Sequence, residues 1–587
     1  MKRSVCNKSK TLVPNIEVSR TFLSCDGIFS IGLEFYNNKI TRRDFLKFLG
    51  SGAVVAAAGM TLGKINLGTA GNNNSQLPTA LAASQTTGSW ALGVKLFKTP
   101  IHASLLPNGK LFFLIGDGED ILRPNNPPFY AGILDLNTNT QNQLNVSGEI
   151  SCGGNCLLPN GNVLLGGGTR EWAHFTPNHL DWGLDQMYEF DFASESFIQR
   201  PSMAAGRWYP TFSLLPDGTV QIISGWDQFG TLNRLCEIYD PTSQSLSIKY
   251  DPNNSATYCV GAGQSVPGAG SPCYGGPNQG VTPTMSLYPR MYLMPNGLLA
   301  MVGQGQGMKL WDPKTGRWYF AGQMVWGTRS FGTSVLLPLQ NTTTETGTIL
   351  TAGGAANQSD ASPATNSCEL ITPNSTYRTM LNAKLTNPMN FARQYLNSVI
   401  LPTGQIFVTG GSTQGNVLNN AVYAAEMFDP VTNTWTILPS ATVPRLYHSV
   451  AMLTQNGRIW TAGTTLYGPY SPELRTEVFS PAYMFATRPV TLGDPIITGG
   501  YGGTITIKTP NASNITAVSL LKVSSVTHHY NSDQRLIWLQ IQSTDSSSVT
   551  VKAPINSNLA PPGYYLIHIL DSNSVPSNGR FIKIPSK

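Results

Sequence analysis

Leu157-Leu158-Pro159-Asn160-Gly161-Asn162-Val163-Leu164-Leu165-Gly166-Gly167-Gly168 decides the reading of this chain. A short apolar run meets a Pro-Asn-Gly turn, β-formers follow, and a glycine cluster ends the phrase. An Asn-Gly pair between two apolar runs is a strong short-range hairpin signal. The phrase recurs at 105–118, 214–225, 293–303, 346–354, 401–411 and 453–463. The turn glycines are Gly109, Gly161, Gly218, Gly297, Gly347, Gly404 and Gly457, at spacings of 52, 57, 79, 50, 57 and 53. Units of about fifty residues match kelch-type propeller blades. The expectation is an all-β protein whose residues 90–485 form a seven-bladed kelch-type β-propeller. A sandwich, or two smaller sheet domains, would not repeat one phrase seven times at this regularity.

A second phrase closes several units: Glu237-Ile238-Tyr239-Asp240-Pro241, Leu310-Trp311-Asp312-Pro313 and Glu426-Met427-Phe428-Asp429-Pro430. These read as outer strands ending in a turn. The long interval holds an insertion near 250–282, rich in Gly, Pro, Ser and Asn, where Cys259 and Cys273 read as a loop-stapling disulfide. Cys236 and Cys368 read as small buried hydrophobes. After Pro481 the pattern becomes alternating short strands, and 486–587 reads as an immunoglobulin-like C-terminal β-sandwich.

Composition agrees. Charged residues make up 12% of 587, with 58 Gly and 40 Pro, which suits short strands and tight turns over long helices. The net charge of +6 has no basic run beyond the N-terminus, so nucleic acid is not an expected partner. Thr41-Arg42-Arg43-Asp44-Phe45-Leu46-Lys47 precedes a mild apolar stretch, Phe48 to Leu62. Paired arginines before such a stretch mark a twin-arginine export signal. Residues 1–82 are therefore expected to be signal region and leader, with Ala80-Leu81-Ala82 a late cleavage site. The stretch is short for a bilayer span, and no other run is longer. The mature chain is expected outside the cell or on its surface, without stable membrane insertion.

Counting nine residues back from the turn glycines gives Cys152, Tyr209, Tyr288, Tyr395 and His448, with Tyr447 just ahead of His448. Equivalent positions on equivalent strands should ring one end of the propeller axis. Arg207, Arg393 and Arg445 lie just upstream, near the same mouth. Tyr288 and Tyr395 are expected to plug the channel with hydrogen bonds. Tyr447 and His448 are neighbours, which on a strand point to opposite faces. Imidazole and phenolate together suit a cupric ion, and a phenol ionises at neutral pH only beside a cation.

Here the chain resembles the galactose oxidase and glyoxal oxidase family of copper-radical oxidases, over about 90–587. Arg207-Trp208-Tyr209-Pro210 is similar to the segment bearing the family's cross-linked tyrosine. Ser151-Cys152-Gly153-Gly154 is similar to that bearing its cysteine partner. Arg445-Leu446-Tyr447-His448-Ser449 is similar to the segment with the axial tyrosine and first histidine. Thr527-His528-His529-Tyr530-Asn531-Ser532-Asp533-Gln534-Arg535 is similar to the second histidine motif, and its register selects His528 over His529. The resemblance implies one copper ion held by Tyr209, Tyr447, His448 and His528, and a Cys152–Tyr209 thioether as a protein-derived radical cofactor. It implies Cys152, Tyr209 and Tyr447 as catalytic residues that oxidise small aldehydes or primary alcohols with O2, giving H2O2 that peroxidases could consume. The Trp-Tyr-Pro form leans towards glyoxal oxidase. The alternatives are a galactose oxidase-like sugar alcohol oxidase and a non-catalytic kelch propeller that binds extracellular polysaccharide. Cys156 is a rival sulfur, since a Cys152–Cys156 disulfide would abolish the thioether. Strand alternation should point His529 away. His102, His174, His179 and His568 show no comparable context, and His174 and His179 read as solvated loop residues.

Overall fold

The computed structural model describes residues 87–116, 129–171, 182–250, 285–359, 361–464 and 472–586, with three short strands nearer the N-terminus. Contacts divide the chain into two units, Met1–Gln76 and Leu77–Lys587. In the first, Thr11–Val13, Ile16–Arg20 and Ile31–Leu33 form an antiparallel sheet. The twin-arginine segment lies outside the described residues, as do Cys259, Cys273, His174 and His179. Among the described residues no helix is long and apolar enough to cross a membrane.

Six of the seven quoted phrases fold as tight hairpins; in the fifth sheet Thr333–Leu336 and Ile349–Ala352 pair antiparallel across a longer connection. In the second sheet Gly153–Leu157 pairs antiparallel with Val163–Gly167 around Gly161, whose φ is +97°. A side chain there would lie 2.6 Å from Pro107, so the turn needs glycine for both dihedral and space. Seven antiparallel sheets follow one another among the described residues, each built outwards from such an antiparallel pair. Their innermost strands begin at Pro100, Gly153, Thr211, Met291, Thr333, Gln394 and Val450. The seventh sheet takes its outermost strand, Ser89–Lys95, from the start of the described unit, pairing with Arg475–Ser480. That sheet is thus completed by a strand from the other end of the described unit, while the outermost strands of the other six remain sheet edges. The Glu-bearing phrases are each sheet's third strand, one place inside the expected outer strand, because a further strand such as Ser245–Tyr250 covers them.

The hairpin strands are buried along their length, so they read as continuous apolar runs and not as alternation. Cys236 and Cys368 sit fully buried in this packing, as expected.

The C-terminal region packs two sheets. One contains Thr504–Lys508 and Ser548–Lys552; the other contains Ile515–Lys522, Leu536–Leu539 and Gly563–Asp571. It is not a separate body. Leu339–Gln340, from the fifth sheet's connection, adds parallel to Leu536–Leu539. The hairpin Ser525–Thr527 and Tyr530–Asn531 adds to the innermost strand of the first sheet, with Thr527 opposite His102. That second insertion carries the tip His528-His529 among the inner strands.

Candidate metal centre

The expected positions do meet. The Tyr209 amide donates to the Cys152 carbonyl at 2.8 Å, the Tyr288 amide to the Tyr209 carbonyl at 2.8 Å, and the Tyr395 amide to the Phe331 carbonyl at 2.8 Å. Equivalent residues of successive sheets are thus laced backbone to backbone. Tyr209, Tyr288, Phe331, Tyr395 and His448 all have positive φ, between 46° and 63°. Left-handed backbone costs a non-glycine residue roughly 1–2 kcal/mol. Its recurrence at one position on five sheets turns large side chains inwards as each innermost strand begins.

The same effect corrects the alternation argument for Tyr447 and His448. With φ of 62° at His448 the pair is in a turn before the strand Val450–Leu453, and the two rings stack at 3.9 Å. It corrects the argument for His529 too. His528 and His529 both have positive φ, 45° and 67°, in a two-residue hairpin turn that is usually Asn-Gly. Both rings stay buried.

Four donors converge. The Tyr209 and Tyr447 hydroxyls share a short hydrogen bond. The His528 ring lies 4.6 Å from Tyr209, 4.7 Å from His448 and 5.7 Å from Tyr447. His529 lies further out, 6.1 Å from Tyr447 and 5.7 Å from Tyr395. Thr527 Oγ1 is 2.6 Å from His528 Nδ1, while the buried His528 Nε2 has no hydrogen-bond partner among the described residues. A histidine held at Nδ1 with an open, buried Nε2 fits a metal ligand.

Without a cation Tyr209, His448 and His528 are uncharged. Burial, then Tyr447 and Cys152, raise the Tyr209 phenol well above its usual range. Burial lowers His448 to about 3 and takes His528 well below its normal range. A divalent ion inverts that balance by stabilising phenolate and coordinating neutral imidazole. Two phenols and two imidazoles suit copper better than the oxygen-seeking hard cations. Among the described residues no three His, Cys, Asp or Glu side chains are placed to hold a metal ion by themselves, so any ion here depends on the phenols.

Cys156 keeps a free thiol, so the feared Cys152–Cys156 disulfide is not formed. The two sulfurs face different surroundings. Cys156 packs with Leu158, Leu164, Met187 and Phe212, whereas Cys152 is among the groups that perturb Tyr209 and Tyr288.

Two neighbours escaped the sequence reading. The Trp208 indole stacks flat on Tyr209 at 3.6 Å and 7°. His102, which showed no motif, is fully buried on the first innermost strand, 5.9 Å from His528. Only the pairing of Thr527 with His102 brings it there. Tyr288 donates its hydroxyl to the Gly153 carbonyl at 2.7 Å, in keeping with a channel plug. The arginines do not line the mouth. Arg207, Arg393 and Arg445 are buried against Glu237, Glu426 and Glu477 at 2.7, 2.5 and 3.9 Å, and Arg329 pairs likewise with Glu369 at 2.8 Å. They are braces beneath the ring.

Comparison with known proteins agrees with this geometry. Residues 279–483 match the profile of the glyoxal oxidase N-terminus, and 488–584 match the galactose oxidase-like early set domain. A galactose oxidase of Gibberella zeae is 27% identical over 67% of this chain, which spans 57% of that protein's length. The aldehyde oxidase GLOX of Vitis pseudoreticulata is 26% identical over 86% of this chain and 96% of its own. A fungal alcohol oxidase of the AA5 family, solved in complex with copper, shares the fold with a TM-score of 0.69, 24% identity, and coverage of 85% of this chain and all of that one. Over these two matched regions and relatives the chain is similar to the galactose oxidase- and glyoxal oxidase-like family.

Proposed function

We propose that this chain is an exported, copper-dependent oxidase that passes electrons from small aldehydes or primary alcohols to O2 and releases H2O2. The observation that carries the reading is the meeting of Tyr209, Tyr447, His448 and His528, from three distant parts of the chain, in one partly buried cluster. The seven sheets are taken as propeller blades whose common mouth holds that cluster. Export would use the twin-arginine segment at Arg42-Arg43.

Copper, when bound, would supply a one-electron couple and a Lewis acid for the substrate oxygen. Tyr447, as the phenolate that a bound cation would stabilise, would accept the substrate hydroxyl proton; its oxygen is hydrogen-bonded to that of Tyr209. Tyr209, once oxidised, takes the hydrogen atom from the substrate carbon. The Cys152 sulfur bonded to the Tyr209 ring makes that oxidation easier, since sulfur shares the unpaired spin. Forming the bond removes two electrons and two protons from thiol and ring, with O2 as acceptor. Trp208 covers one face of the ring and limits solvent access there. Thr527 orients His528. Aldehydes would react as their hydrates, which present the same hydroxyl as an alcohol.

The test is peroxide release by copper-loaded protein against aldehydes, primary alcohols and galactose, since relatives of both names match. Peptide mapping after aerobic copper loading should show Cys152 and Tyr209 joined with loss of two hydrogens; an unmodified pair would refute the radical mechanism. His528→Ala should lose copper and His529→Ala should keep it. Retained copper in the first variant with loss in the second would overturn the ligand assignment.

A further inference from the structure

The fourth sheet breaks a rule that four others keep. In the third, fifth, sixth and seventh sheets a glutamate, Glu237, Glu369, Glu426 or Glu477, stands opposite the residue four places past the turn glycine. Each meets an arginine two places before Tyr209, Phe331, Tyr395 or Tyr447. In the fourth sheet the glutamate position is Lys309, opposite Met301. The arginine position, two before Tyr288, is Ser286. The guanidinium comes instead from Arg290, whose Nη1 donates to the Gly303 carbonyl as Arg393 Nη1 donates to that of Gly410, so a neutral pair has become two positive charges.

A cavity of about 290 Å³ lies where the pair is missing. Lys309 and Ser286 line it, with Arg290, Gln304, Gln306 and Gln323, and no acidic side chain does so among the described residues. Lys309 is only 9% exposed. Arg290 is buried too, held by the carbonyls of Gly303 and Gly332. Buried charges are ordinarily paired. The four sister sheets pair theirs, so what this one lacks is negative charge to set against Lys309 and Arg290.

We propose that this cavity binds a small oxyanion, a carboxylate or an inorganic phosphate, whose charge pairs with Lys309 and whose oxygens accept hydrogen bonds from the surrounding glutamine amides and Ser286. The ligand supplies from solution the acidic group that Glu237, Glu369, Glu426 and Glu477 supply covalently. Its volume is many times the ~30 Å³ share of one water, enough for acetate or phosphate with solvent. The site shares no lining residue with the Tyr209 cluster, and binding there needs neither copper nor turnover. Burial lowers Lys309 to about 8. Anion binding therefore weakens as pH rises past that value, with Arg290 the other charged group on the cavity wall.

The test uses full-length protein without added copper, titrated calorimetrically with sodium acetate and separately with phosphate against sodium chloride at equal ionic strength. Saturable binding of one oxyanion is expected, and its identity assigns the source. Lys309→Met should weaken it at least tenfold while leaving the circular dichroism spectrum unchanged. Gln323→Glu, at an exposed rim position that tolerates change, should also weaken it by placing a carboxylate beside Lys309. Absence of saturable binding by either oxyanion, or equal binding by wild type and Gln323→Glu, overturns the proposal.

Discussion

The sixth and fourth sheets grow from the same hairpin phrase, yet their interiors follow opposite electrostatic designs. The sixth closes on itself. Arg393 reaches Glu426 at 2.5 Å and the carbonyls of Gly410 and Ala424 at 2.9 and 3.0 Å, and Glu426 also caps the Asn390 amide at 2.6 Å. The fourth leaves Lys309 facing a cavity. The backbone register is the same in both, so the strand pairing does not require the ion pair. What the pair provides is a buried tie between the turn that opens a sheet and that sheet's third strand. Removing one partner of such a pair strands the other's charge in the interior, at a cost of about 3–5 kcal/mol. Glu426→Ala should lose stability of that size in urea unfolding. A loss no larger than that of an exposed pair such as Arg475–Glu473, about 0–1 kcal/mol, would show that the ties are dispensable.

Lys309 gives the second, smaller effect. Its folded value of about 8 lies below the 10.5 of an unperturbed lysine, so between those values the unfolded chain binds the extra proton. Wild-type stability should therefore rise with pH across that window relative to Lys309→Met, by on the order of 2 kcal/mol in anion-free buffer. Below pH 8 both states are protonated and the difference should be flat. Thermal or urea unfolding of the two proteins at several pH values in that range checks this; parallel curves would mean that Lys309 is already paired. Added oxyanion should flatten the slope, because pairing raises the folded value towards the unfolded one.

The contrast also marks where sequence reasoning reached and where it stopped. Every tight hairpin was legible, because Asn-Gly and its variants dictate a turn locally and the glycine clusters end each second strand. The mouth residues followed from counting back to a common register. The misreadings share one cause: a backbone dihedral that no residue type announces. Positive φ at His448 and at His528-His529 places neighbours on one side of the chain, where strand alternation would separate them. His102 was invisible because its role depends on Thr527, more than four hundred residues away. Arg207, Arg393 and Arg445 were seen, as were Glu237 and Glu426, but as separate phrases; only the fold shows that they face each other across a turn. The merging of the C-terminal sheets with the inner strands left no local signature either.

The two designs can be exchanged, and that exchange predicts the smallest net effect. Ser286→Arg alone adds a third cation beside Lys309 and Arg290, whereas Lys309→Glu alone places an acid near Arg290. Together they recreate the Arg–Glu tie of the sister sheets and fill the cavity. Ser286→Arg alone should be clearly destabilised, whereas the double should return to within about 1 kcal/mol of wild type, because a complete buried pair roughly offsets its own desolvation. The informative quantity is the coupling between the two changes in a double-mutant cycle, expected at about 1–3 kcal/mol in favour of the pair. Additive losses would mean that the fourth sheet cannot accept the tie, and that its departure follows from local backbone shape. A strong coupling together with lost oxyanion binding would show that one buried pair of positions decides between a sealed sheet and a ligand site.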